Sequence, residues 1–286
     1  MTRVVLVLLV GAAAVSTSAI WVRLALEHAS GSTEAASLVL AALRLALAAL
    51  IVSPGVLGLA SVPAPARRLT WLAGAALALH FATWLPSLTL TSVAISVALT
   101  NSHPLWLALF GVFFLKDHYR ASTWVALAIS LLGTLLVAFE PPSSLGGFWG
   151  TLLALVSGVA FASYMQIGQN AQRAGAPAPA YLAGCYLTAA LLLIPLPLIF
   201  QGQYLNHAPA FYGYAILLAV VPQLIGHSSF NWALGHASPL WVSQAVLLEP
   251  WGAGILAWII FGEVPSAQTL AGMVLLLAGF SLSLRK

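Results

Sequence analysis

Charge is scarce in this sequence. Lys, Arg, Asp and Glu together make up 6% of its 286 residues, where soluble domains carry about a quarter. A soluble core of this size needs a polar shell that the chain cannot supply. The ten Lys and Arg exceed the six Asp and Glu by a formal charge of +4. They are scattered between apolar runs, which argues against a nucleic-acid surface and for a membrane-orientation signal. Aspartate is rarer still. Asp117 stands alone, so no magnesium–diphosphate centre can be built on paired aspartates. The sequence also lacks a His-Glu-x-x-His metal motif and a Gly-x-Ser-x-Gly elbow. An intramembrane enzyme is thereby left without a visible centre, and the sequence asks for no cofactor and no metal. With Cys185 as the single cysteine, an intrachain disulfide is excluded and the redox compartment is unreadable.

What the chain has instead is apolar length. Hydrophobic residues make up 61% of it, and a spanning helix needs about 20 of them in a row. Hydropathy, punctuated by Pro, Gly and charge, predicts ten spans: 4–24, 35–53, 69–88, 92–115, 122–139, 147–168, 179–200, 211–235, 239–261 and 267–284. The third and fourth meet in a very tight turn at Thr89-Leu90-Thr91. Arg3, an apolar run and Ser16-Thr17-Ser18-Ala19 also resemble a cleavable secretory signal. The apolar run continues through Val22, however, and the repeat described next needs this segment as a helix. If the first residues are cytoplasmic, the inner loops hold Arg3, Arg67, Arg68, Lys116, Arg120, Arg173, Arg285 and Lys286, eight of the ten basic residues. The bias places both termini in the cytoplasm.

Sliding the chain on itself by 146 residues aligns 1–140 with 147–286 without a gap. Ser92 then meets Ser238, Pro104 meets Pro250, Asp117 meets Glu263, Thr123 meets Thr269 and Gly133 meets Gly279. Residues 141–146, beginning Pro141-Pro142-Ser143-Ser144, read as the linker. Five spans per half is an odd number, so the second half is inverted relative to the first. Inverted repeats typify secondary transporters, since two similar halves can exchange conformations and open a pathway to each side in turn. The expected fold class is therefore all-α integral membrane, with ten transmembrane helices as two inverted five-helix repeats.

Polar side chains are costly in lipid and gather in the bundle interior, on partners or around water. Helical spacing puts His80, Trp84 and Ser87 on one face of the third span. Ser96, Thr100 and His103 share a face of the fourth, with Asn101 beside them. Ser157, Phe161 and Tyr164 share one of the sixth, and Gln223, His227 and Asn231 one of the eighth. Helix-to-helix hydrogen bonding accounts for any one of these. Together they predict a wet, aromatic-lined substrate chamber near the midplane. Pro104 and Pro250 each remove a backbone bond and free the carbonyls of Thr100 and Val246; placed equivalently in both halves, they are candidate hinges or gates. Arg44 and Glu249 lie deep, where they could pair and where Glu249 or His103 could couple transport to a proton. Small residues on the fifth and tenth spans (Ala126, Ser130, Gly272, Gly279) suit close packing within or between chains. The oligomeric state is unreadable.

The doubled five-helix unit, Arg44, His103-Pro104…Lys116-Asp117 and Glu249-Pro250…Gly262-Glu263 resemble the EamA-type drug/metabolite transporter superfamily over the whole chain. Met1-Thr2-Arg3, Val15-Ser16-Thr17 and Phe161-Ala162-Ser163-Tyr164 are similar to the YddG-like amino-acid exporters. This chain departs from them in carrying Val15 where an aromatic is expected, and His103 rather than Trp before Pro104. The resemblance implies an inner-membrane exporter of small solutes, amino acids above all, with the lipid bilayer and a small molecule as its partners. Export of drugs or other metabolites is the alternative within the superfamily. A phosphorylated cargo would call for several deep Lys or Arg, and only Arg44 is deep. A small-multidrug type pump would call for a carboxylate early in the first helix, where there is none.

Overall fold

The computed structural model describes residues 2–114, 121–139 and 145–283. Lys116, Asp117, Arg120, Glu140, Pro141 to Ser144, Arg285 and Lys286 lie outside the described residues. Every regular element among the described ones is helical. Large apolar side chains point outward along most helices: Leu50, Leu57, Phe113, Trp149, Ile199, Trp258 and Ile259 are all exposed. A soluble protein does not display such a surface. The polar side chains His80, Thr100, Asn101, His103, Gln223 and Asn231 are buried instead. The protein is a multi-pass membrane protein. Among the described residues, seven helical segments are long and apolar enough to cross a bilayer, and three shorter apolar helices cover Trp124–Ala138, Glu249–Phe261 and Ala267–Gly279.

The first span is α1 (Thr2–Ser16) and α2 (Ser18–Leu26), and the second is α3 (Thr33–Ile51). A 3₁₀ segment, Ser53–Ser61, fills the connection read as loop. The third span, α4 (Ala64–Leu90), starts five residues before its expected position. It ends at the tight turn that the sequence predicts, where the Ser92 hydroxyl caps α5 (Val93–Thr100) by accepting from the Ile95 amide at 3.3 Å. Then come α6 (His103–Phe114), α7 (Ala121–Ala138) and α8 (Leu145–Arg173). The last of these begins two residues inside the segment read as linker. The chain continues through α9 (Ala178–Leu193), the one-turn α10 (Leu196–Ile199) and α11 (Pro209–Leu218). A π-helical segment, Ala219–His227, leads into α12 (Ser228–Leu234). After it come α13 (Pro239–Val246), α14 (Glu249–Phe261) and α15 (Ala267–Ser283). Ser238 caps α13 by accepting from the Trp241 amide at 3.3 Å, residue for residue the arrangement at Ser92.

Packing divides the spans around the middle of the bundle into two groups. In one, α8 lies along α4, α5 and α6. In the other, α1 lies along the π segment, α12, α13 and α14. The groups face each other through α5 against α14 and α6 against α13, while α3 packs on α9 and α7 on α15. The α7–α15 contact is built on glycines. A Cβ at Gly133 would stand 2.6 Å from the Gly272 carbonyl, and one at Gly272 2.8 Å from the Gly133 carbonyl. The small residues of α7 and α15 thus serve packing within the chain.

Candidate functional site

The helical stretches α5–α6 and α13–α14 are each broken, and the breaks meet. Pro104 and Pro250 each occupy the second position of a new helix, α6 or α14, where the missing N–H is not needed. The sequence predicts a kink with freed carbonyls in a continuing helix. The chain instead stops at Thr100 and Val246 and restarts at His103 and Glu249. Glu249 is the first residue of α14, where the helix dipole favours a negative charge. Its carboxylate accepts from Asn101 Nδ2, in the other break, at 3.3 Å.

Around these breaks the two packing groups enclose a cavity. It is lined by Val15, Ser18, His80, Trp84, Thr100, Asn101, Phe161, His227, Phe230, Val246 and Glu249. Its volume is about 20 Å³, room for a single water. Aromatic rings fill the rest. His80 stacks on Trp84 at 6.0 Å with 7° between planes, and lies 4.8 Å from Phe161 and 6.1 Å from His227. Ser157 fixes His80, its carbonyl 3.2 Å and its hydroxyl 2.9 Å from Nδ1. Thr100 donates to the Ala154 carbonyl at 3.3 Å. The structure therefore brings together His80, Trp84, Thr100, Asn101, Phe161 and His227 from the predicted chamber, in a contracted rather than an open space.

The other predicted residues stand behind this wall. His103 is fully buried and edge-on to Phe161 at 4.8 Å. Tyr164 accepts from Asn231 Nδ2. Gln223 faces Arg44, whose Nε donates to Gln223 Oε1 at 2.8 Å and whose Nη1 donates to Ser18 at 2.8 Å. The Arg44 guanidinium also lies 4.2 Å above the centre of the Phe81 ring. An Arg44–Glu249 ion pair, which the sequence allowed, is not formed. A planar cation over an aromatic face, with neutral oxygens as acceptors, settles Arg44 in its place.

Several buried polar atoms here have no protein partner: Arg44 Nη2, Gln223 Nε2, Trp84 Nε1, His227 Nδ1, Asn101 Oδ1 and Asn231 Oδ1. Trp84, His227 and Asn101 line the cavity, and Arg44, Gln223 and Asn231 stand in the layer behind it. Buried polar groups are paired in nearly every native structure, so unpaired ones gathered in and behind this wall mark a place for a ligand. Sequence reasoning missed Ser18, Phe81 and Phe230. Ser18 lies within the segment that resembles a secretory signal, and the two phenylalanines look like ordinary core. The Arg44–Gln223 bond was hidden because residues 179 apart carry no periodic signal.

Comparison with known proteins agrees with this architecture. The profile of the EamA-like transporter family matches residues 148–285. Among curated relatives, an uncharacterized transporter of Archaeoglobus fulgidus is 27% identical over 73% of this chain and 73% of its own length. The uncharacterized transporter YdfC of Bacillus subtilis is 22% identical over 66% of this chain and 61% of its own. An uncharacterized transporter of Clostridium kluyveri is 23% identical over 68% and 64% respectively. A solved crystal structure, titled only as that of a protein, covers 99% of this chain and 97% of its own. Its TM-score is 0.68 at 18% identity, and it supports the fold alone.

Proposed function

We propose that this chain, which is an EamA-type membrane transporter of the drug/metabolite superfamily and not an enzyme, exports small zwitterionic solutes. Amino acids with aromatic or hydrophobic side chains are the favoured cargo. In this reading, residues 1–140 and 147–286 are inverted five-helix halves that work by alternating access in the cell inner membrane, with both termini cytoplasmic. The reciprocal packing of α8 on α4 and of α12 on α1, and the matched serine caps, support the inversion.

The observation that carries the cargo is the set of unpaired groups around an aromatic cavity. Arg44 Nη2 and Gln223 Nε2 are donors suited to a carboxylate. Asn101 Oδ1 and the Glu249 carboxylate are acceptors suited to an ammonium. His80, Trp84, Phe161 and His227 offer ring faces to an apolar side chain. Neighbouring spans must part to admit it, with Pro104 and Pro250 as the hinges. The deciding experiment is counterflow into proteoliposomes with a panel of labelled amino acids. Exchange of hydrophobic cations but of no amino acid would hand the site to the drug-export alternative.

Trp84→Ala and His80→Ala should each slow counterflow of aromatic amino acids by roughly five- to tenfold, the worth of one aromatic contact, in a protein that stays folded. Unaltered uptake in both would remove the chamber from the pathway. Glu249→Gln keeps the shape of the side chain and removes its ionisable proton. Loss of its charge-assisted hydrogen bond should lower counterflow by about tenfold or more and flatten its dependence on pH, as befits an intramembrane proton carrier. A variant that matches the parent in both rate and pH profile would end that coupling role.

A further inference from the structure

The offset of 146 residues also superposes two hydrogen bonds that lie at opposite mouths of the bundle. Arg23, in the last turn of α2, donates from Nη2 to the Thr91 carbonyl at 2.6 Å. Gln169, 146 residues later and close to the end of α8, donates from Nε2 to the Ala237 carbonyl at 2.9 Å. Thr91 and Ala237 are themselves 146 apart. Each accepting carbonyl directly precedes the serine that caps the next helix.

The two bonds are on different faces. A Cβ at Gly150, close to the start of α8, would lie 2.9 Å from the Leu90 side chain, so α8 begins beside the Arg23 bond. The far end of α8 carries Gln169. That is the face of the N-terminus, where Arg3 covers Trp232 at 5.5 Å. Both bonds join the two packing groups across the cavity. The first ties α2 to the α4–α5 turn, and the second ties α8 to the α12–α13 turn.

We propose that Arg23 and Gln169 are equivalent latches, one at each mouth, and that the stronger Arg23 latch keeps the empty protein shut on its side, so that solute loads from the face of the N-terminus. This rests on the alternating-access reading above. The inequality is chemical. The Arg23 bond is charge-assisted, and such bonds are roughly twice as strong as neutral ones. It is reinforced by Glu263, whose Oε1 pairs with Arg23 Nη1 at 3.1 Å and whose Oε2 accepts from the Val93 amide at 3.1 Å. At the other mouth a neutral amide takes the place of the guanidinium. Pro239, the counterpart of Val93, has no N–H to offer an acid. The counterpart of Glu263, Asp117, lies outside the described residues.

The test is side-specific thiol labelling of Val15→Cys, on the cavity wall, in a Cys185→Ala background, using a membrane-impermeant reagent on vesicles of each orientation. The parent should label faster from the face of the N-terminus. Arg23→Gln should raise the rate from the opposite face by about tenfold, the scale on which losing one strong bond moves a two-state equilibrium, and lower it from the face of the N-terminus. Gln169→Leu should move both rates the other way.

About 1 M salt shortens the screening length to about 3 Å. Because the Arg23–Glu263 pair is partly exposed, salt should reproduce part of the Arg23→Gln effect in the parent and add nothing to that variant. Arg23→Lys should fall between Arg23→Gln and the parent. Rates that do not move, or that rise at both faces in both variants, would overturn the latches. Labelling needs no solute, so the two readings can fail separately. Shifted labelling without amino-acid counterflow retires the cargo and keeps the latches, while normal counterflow with unshifted labelling retires the latches alone.

Discussion

Substituting Arg44 with methionine is expected to abolish amino-acid counterflow while leaving the protein as stable as the parent, or more so. Arg44 is fully buried and bonded only to the neutral oxygens of Gln223 and Ser18. A charge removed from water into such a place is costly, and exchanging buried ionic groups for apolar ones of similar volume is often neutral or stabilising by 1–4 kcal/mol. The function assigned to Arg44, donation from Nη2 to a carboxylate, disappears with it. A charge-assisted bond is worth about 1.5–3 kcal/mol, and a lysine ammonium cannot reproduce a planar fork that holds Gln223, Ser18 and a carboxylate at once, so Arg44→Lys should also transport poorly. Counterflow and thermal unfolding in detergent, measured on the same preparations, check both halves of this expectation. Robust transport by Arg44→Met would show that the guanidinium only holds helices together.

Gly133→Val is expected to do the opposite, destroying stability with no direct part in solute recognition. Its Cβ would stand 2.6 Å from the Gly272 carbonyl oxygen and 2.8 Å from the Leu276 amide nitrogen. Backbone atoms cannot swing aside as side-chain tips do, so α7 and α15 must separate. Overpacking of this kind costs typically 1–3 kcal/mol and occasionally more, and here about 3 kcal/mol is expected because both neighbours are main chain. Thermal unfolding of Gly133→Val in detergent is the measurement, with Gly254→Ala as the control, since a Cβ there meets nothing within 4 Å. Equal midpoints for the two would mean that close backbone contact does not hold α7 to α15.

The parts of this fold legible in the sequence were those that hydropathy and proline govern. The tight turn after Leu90 was readable because two apolar runs of spanning length meet at Thr89-Leu90-Thr91 and leave no residues for a longer loop. The equivalence of Pro104 and Pro250 was readable because two identical markers recur at one spacing. The breaks themselves were not, since a proline inside an apolar run is compatible with a kinked helix or with a fresh start. In the site, four-residue spacing found His80, Trp84 and Phe161. It could not separate residues that line the cavity from those one layer behind, such as His103 and Tyr164. That distinction depends on how far each helix is rotated against its neighbours. The contraction of the chamber was likewise invisible, because ring-to-ring contacts are a property of conformation.

The π segment from Ala219 to His227 carries a consequence for the eighth span. The Ser228 amide reaches back five residues to the Gln223 carbonyl, directly after Pro222, which has no amide proton to give. Returning this stretch to ordinary α geometry would turn everything beyond it by about 100° per residue gained or lost. Gln223 would stay with Arg44 while His227 and Asn231 swung away from the rings they now touch. The wide turn therefore acts as a phase shifter, allowing one helix to serve the guanidinium on one side and the aromatic wall on the other.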